Sequence, residues 1–162
     1  MKEDVVAVIS VSPVRRWLGV GILACIGVML LYIGLMSSPN LSGQIFLIVV
    51  GLLALWMSDK MRRATGLWIE LTETELRDST GKLIARVEDI TSLDSGFLAF
   101  KPSNGFLIRT ASSLPRTWRP GLWWRIGRSI GIGGVTPGSQ TKSMSQIIQM
   151  MIAMRDQDSH KV

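Results

Sequence analysis

Residues 17–36, WLGVGILACIGVMLLYIGLM, hold no charged side chain. About 20 apolar residues are what a helix needs to cross the hydrocarbon core of a bilayer. A second uncharged run follows at residues 41–58, LSGQIFLIVVGLLALWMS, after the turn cluster Ser37-Ser38-Pro39-Asn40. The two runs predict a membrane hairpin over residues 15–63. Basic residues flank it on the outside only: Arg15 and Arg16 before the first run, Lys60, Arg62 and Arg63 after the second. By the positive-inside bias, both chain ends face the cytoplasm and the tight turn lies outside. A cleaved signal peptide is the competing reading of the first run. That run exceeds the usual apolar region of about 7–15 residues, and no Ala-x-Ala-like site follows it.

Small residues recur within both runs. Gly21, Ala24, Gly27 and Gly34 fall at steps of three, three and seven, and Gly51, Ala54 and Ser58 at steps of three and four. Each set is expected on one helical face, where small residues let membrane helices approach closely. The expected use is a seam between the two spans. The competing use is docking of another protein's membrane helix.

Before the hairpin, residues 1–14 form an N-terminal arm. Its β-branched stretch at residues 5–11, closed by Pro13, predicts a short strand that joins the sheet of the later domain, the alternative being a segment lying at the lipid interface. After the hairpin, residues 64–155 predict an antiparallel sheet or small barrel. Alternation marks Leu67, Ile69 and Leu71 as one face of a strand, and residues 75–78 and 82–87 as a hairpin about Ser79-Thr80-Gly81. Glu88-Asp89-Ile90 is expected to start a connection in which Ile90 points inward. Residues 96–101 and 106–110 are expected to pair about Pro102-Ser103-Asn104-Gly105, whose chemistry suits a reverse turn. Two more strands are expected at residues 122–126 and 130–133. Met144, Ile147, Ile148, Met151 and Ile152 recur at helical steps, predicting an amphipathic helix from residues 139–141 to Arg155, with a polar tail at 156–162.

This outline, with Pro120-Gly121-Leu122-Trp123-Trp124-Arg125-Ile126-Gly127-Arg128 and the glycine-rich Ile130–Thr136 after it, resembles bacterial membrane-anchored proteins that carry a PH-like domain. The resemblance covers about residues 67–155. It implies an α+β fold of PH-like type and an anchoring role at the bacterial cytoplasmic (inner) membrane. It implies no catalytic residue and no ligand pocket, since one fold hosts many functions.

Charge is the most specific functional signal. Residues 95–154 contain no acidic side chain. Arg116, Arg119, Arg125 and Arg128 are interleaved there with Trp118, Trp123 and Trp124. Such a basic, aromatic surface suits anionic headgroups or an acidic partner, because each cation near the leaflet gains about 1 kcal/mol and tryptophan favours the headgroup level. The bland alternative sends one of the adjacent tryptophans into the core and leaves the arginines as a solvated rim or as partners of nearby carboxylates.

Other chemistries fare worse. Cys25 and His160 are the only cysteine and histidine, so one chain offers neither a disulfide framework nor a zinc site. No base–nucleophile pair stands out. The spacing of Gly127, Gly131, Gly133 and Gly134 fits neither a dinucleotide nor a phosphate loop, and strand bends and close packing explain it better. No nucleic-acid motif is present. The expectation is therefore a non-catalytic module without cofactor, metal or small-molecule substrate. Its expected partners are membrane lipids and another membrane protein. The leading role is an accessory or assembly subunit, and the alternative is an anionic-lipid-binding module.

Overall fold

The computed structural model describes residues 4–37, 40–94 and 102–159. Strand β1 (Val5–Ile9) leads into helices α1 (Pro13–Met36) and α2 (Leu41–Ala64). Four strands and one turn of 3₁₀ helix (Val87–Asp89) come next: β2 (Ile69–Thr72), β3 (Glu75–Asp78), β4 (Leu83–Arg86) and β5 (Ile90–Asp94). Then come β6 (Phe106–Thr110), β7 (Thr117–Arg119), β8 (Trp123–Ile126), β9 (Ser129–Ile132) and α3 (Gly138–Ser159).

Both apolar helices are longer than their uncharged runs. Pro13 does not close the preceding segment; it starts α1 at a position where its missing N–H is no loss. The side chain of Asn40 caps α2, accepting from Gly43 N at 2.9 Å. At the other end α2 continues past Ser58, with Asp59 paired to Arg62 at 2.9 Å and Arg63 at 2.7 Å across one helical turn. The flanking cations thus belong to the helices themselves, Arg15 and Arg16 in the first turn of α1 and Lys60, Arg62 and Arg63 in the last turns of α2.

The helices pack along Val20, Gly27 and Gly34 of α1 and Gly51 and Ser58 of α2, all buried. These positions recur every seven residues, a 3.5-residue period that keeps one stripe of each helix on the seam. A Cβ on Gly27 would stand 3.0 Å from Gly51 O and 2.7 Å from Leu55 Cγ. Ser58 Oγ donates to Val20 O at 2.9 Å. The predicted single face needs correction. Ala24 and Ala54 are only half-buried flanks, and a Cβ on Gly21 would meet nothing within 4 Å. At about 100° per residue, Gly21 is turned well away from the stripe through Val20 and Gly27. Gly27→Leu is therefore expected to weaken the helix pair by about 1–3 kcal/mol, by overpacking. Gly21→Leu should change it by less than about 0.5 kcal/mol. Denaturation of the detergent-solubilised chain, followed by tryptophan fluorescence, checks the contrast.

β1 pairs antiparallel with β2, placing Ile9 opposite Ile69 and Val8 opposite Glu70. The hairpin is consequently a long excursion between two neighbouring strands. The strands form two antiparallel sheets, ordered β1-β2-β3-β4 and β5-β6-β9-β8-β7. Between them lies one core, in which Ile9, Leu71, Ile84, Phe106, Ile108, Trp123 and Ile130 meet Met144 and Ile148 of α3. Each such side chain contributes about 1.5–3 kcal/mol by leaving water.

Other elements also depart from expectation. β5 begins at Ile90, where a connection was expected, although Ile90 is fully buried as predicted. β7 was not anticipated. Helix α3 runs on through Ser159, so Asp156 belongs to it and not to a separate tail. The strand expected at residues 96–101 and His160 lie outside the described residues.

Candidate functional site

Strand β8 decides the fate of the predicted basic, aromatic face. Alternate residues of a strand point to opposite sides. Trp123 and Arg125 therefore share the inner side and are buried, while Trp124 and Ile126 look outward. Arg125 is no headgroup contact. Its Nε donates to Pro115 O at 2.8 Å, and its Nη1 donates to Leu83 O at 3.0 Å and Ile84 O at 2.8 Å. One guanidinium thus ties β4 of the first sheet to the β7–β8 edge of the second. Burial lowers its affinity for the proton below the ordinary arginine value, yet an arginine side chain stays charged. Five fixed donors suit this junction of carbonyls.

Arg119 also turns toward the protein. Its Nε lies 3.8 Å from Oδ2 of the fully buried Asp78 side chain. Asp78 Oδ1 meanwhile organises the β3–β4 turn, accepting from Thr80 N at 3.0 Å, Lys82 N at 3.2 Å and the Thr80 hydroxyl. The predicted seven-residue face is therefore split: Trp123 and Arg125 are internal, Arg119 is half-buried beside Asp78, and Arg116, Trp118, Trp124 and Arg128 remain at the surface.

What remains outside forms a different surface. Trp118 and Trp124 are direct cross-strand partners. Trp124 lies over Gly131 of β9, where a Cβ would fall 2.4 Å from its indole Cε2, so only glycine lets the ring lie flat. Arg116, Thr117, Trp118, Trp124 and Ile126 line a shallow hollow of about 240 Å³. In the next row, Ile126 is followed across β9 by Ser129 and then by the exposed Arg109 of β6.

This surface continues onto the hairpin through contacts that no sequence pattern announced. Lys60 Nζ sits 4.6 Å from the ring centroids of both Trp56 and Trp118. Such a cation–π contact contributes about 0.5–1 kcal/mol at an exposed site. Nearby, a Cβ on Gly121 would meet Met61 and Thr65 at 3.2 and 2.9 Å, so the β7–β8 turn rests on the end of α2. The start of α1 is held as well. Ser12 N donates to Val135 O at 3.2 Å and Arg15 Nη1 donates to Thr136 O at 3.1 Å.

No family model, curated protein or solved structure matches the chain.

The site is thus defined by geometry alone. Trp56, Lys60, Trp118 and Trp124 form an aromatic strip with one embedded cation, flanked by Arg116, Arg128 and Arg109. Among the described residues, no three His, Cys, Asp or Glu side chains gather as a metal site would require. Ile126, exposed beside Trp124, was missed by sequence reasoning although period-two alternation from Trp124 points to it.

Proposed function

We propose that this chain is a non-catalytic, membrane-anchored module with a PH-like domain, positioned at the inner face of a bacterial membrane as an accessory or assembly subunit of a larger complex. The observation that carries the reading is the pairing of β1 with β2 across the hairpin. Two 24-residue helices leave one domain and return to it. Each is about 36 Å long, enough to cross a hydrocarbon core of about 30 Å. Their outer sides expose Leu18, Ile22, Val28, Phe46, Val49 and Leu53, a surface that calls for lipid or protein cover. Arg15, Arg16, Lys60, Arg62 and Arg63 all lie at the domain end, which favours a cytoplasmic domain. Two sheets closed by a C-terminal helix support the PH-like outline. Fusing alkaline phosphatase to Val162 is expected to give no periplasmic activity, and an active fusion overturns the orientation. Native purification in mild detergent with mass spectrometry is expected to recover a second membrane protein. Recovery of this chain alone overturns the subunit role.

A second reading, contact with anionic lipid, is favoured by the Trp56–Lys60–Trp118 stack at the helix–domain joint. The full chain in nanodiscs tests it. Hydrogen exchange at β7 and β8 amides is expected to slow when zwitterionic lipid is replaced by anionic lipid. Trp118→Ala with Trp124→Ala is expected to abolish that slowing. Equal slowing in the variant removes this surface from lipid contact.

A further inference from the structure

A cavity of about 750 Å³ opens between α3 and the β2–β3 turn, lined by Glu73, Glu75, Arg86, Glu88, Met151 and Met154, with Val87 between them. It lies at the far end of the domain from the hairpin. Val5, the start of β1, pairs with Thr72 at the end of β2, whereas the other end of β1 feeds α1. Helix α3 likewise begins beside Arg15, through Thr136, and Met154 stands about 24 Å further along it.

The walls differ in kind. The helix offers methionine: Met154 is 63% exposed, and Met151, about one turn before it, is half-buried. Flexible, polarisable thioethers suit a surface that must accept an apolar partner of variable shape. The opposite wall belongs to the acidic half of the domain. The groove lining itself holds three carboxylates, Glu73, Glu75 and Glu88, against two cations, Arg86 and Arg155. The cations that line the groove are engaged by the protein itself. Arg86 pairs with Glu88 at 3.3 Å, and Arg155 Nη1 donates to Glu88 O at 2.9 Å and Ile90 O at 3.0 Å.

We infer that this groove docks a basic amphipathic helix of a partner protein, its apolar side against Met151 and Met154 and its lysines or arginines against Glu73 and against Glu88, which exchanges its exposed pairing with Arg86 for the partner's cation. Helix-in-groove recognition needs this combination of an apolar floor and a rim of opposite charge. The inference rests on the accessory-subunit reading and names the surface through which that subunit binds.

The test uses the full chain in nanodiscs of zwitterionic lipid and a fluorescent Leu/Lys amphipathic peptide as probe, with empty nanodiscs as baseline. Saturable binding is expected, weakened at least about tenfold by Met154→Glu and by Glu73→Lys with Glu88→Lys. A Leu/Glu peptide of the same pattern should not bind. Equal binding of both peptides, or unchanged binding to the variants, overturns the groove assignment. Met154 is exposed, so an unaltered thermal midpoint in Met154→Glu separates lost docking from lost folding. Native purification from cells then distinguishes the two levels of the claim. A partner recovered with wild type and lost with Met154→Glu supports the groove. A partner retained by both leaves the subunit reading intact and overturns the groove. No partner with either overturns both, and a dimer of this chain that Met154→Glu dissociates replaces the foreign helix with a second copy.

Discussion

Arg125→Met is expected to unfold the domain. The substitution keeps an apolar stem of similar length and removes the guanidinium that three backbone carbonyls share, those of Pro115, Leu83 and Ile84. Each buried acceptor left without a donor costs about 1–3 kcal/mol, so the total is about 3–9 kcal/mol. A domain of this size is stable by only about 5–15 kcal/mol. Arg125→Lys is expected to recover less than half of the loss, because an ammonium on a single stem cannot reproduce a planar fork reaching two sheets. Arg116→Ala and Arg128→Ala, at exposed positions, are expected within about 0.5 kcal/mol of the parent. Thermal melts of the full chain in detergent rank the four variants. The ranking bears on function, since weaker membrane contact by an Arg125 variant would report unfolding and not a lost headgroup contact. A melt of Arg125→Met within about 2 °C of the parent would show the clasp to be dispensable.

The same residue marks where the sequence stops being readable. Strands β3 and β6 stand at the residues predicted, 75–78 and 106–110, because turn chemistry brackets them: Ser79-Thr80-Gly81 after one and Pro102-Ser103-Asn104-Gly105 before the other. The two apolar helices and the stripe of α3 were equally plain, since their periods extend over many residues. β7 escaped because three residues between Pro115 and Pro120 are too few to show alternation. β5 escaped because Thr91, Ser92 and Asp94 look like loop chemistry on a strand with only Ile90 fully buried. The seven-residue basic face failed for a different reason. Local composition shows that tryptophan and arginine are neighbours in sequence, but period two puts Trp123 and Arg125 on one side and Trp124 and Ile126 on the other. Which side is inner depends on the opposite sheet. The Lys60 contact with Trp56 and Trp118 joins segments 58 residues apart, which a single sequence does not disclose.

Gly134→Ala should cost far more stability than Gly81→Ala or Gly66→Ala, because it strikes the joint between domain and hairpin. The connection from β9 to α3 threads between two other backbone segments. Gly133 meets Gly105, with a built Cβ 2.6 Å from its Cα, and Gly134 meets Gly121, with a built Cβ 2.7 Å from its carbonyl oxygen. Gly134 also holds φ at +129°, a region that residues with a side chain rarely adopt. Strain and collision each contribute about 1–3 kcal/mol, so the expected cost is about 2–6 kcal/mol. Two controls separate the terms. Gly81 has φ +79° but open space around it, so Gly81→Ala should cost only about 1–2 kcal/mol. A Cβ on Gly66 comes no nearer than 3.5 Å to its neighbours, and Gly66→Ala should be near neutral. The consequence reaches beyond stability, because residues 135 and 136, immediately after this crossing, receive the bonds from Ser12 and Arg15 at the start of α1. Displacing Gly134 should loosen α1 from the domain. A disulfide engineered between Cys substitutions at Ser12 and Val135 reads that out, closing rapidly in the parent and in Gly81→Ala but slowly in Gly134→Ala. Equal rates in all three would mean that the hairpin is held by the Lys60 contact and the Gly121 turn instead.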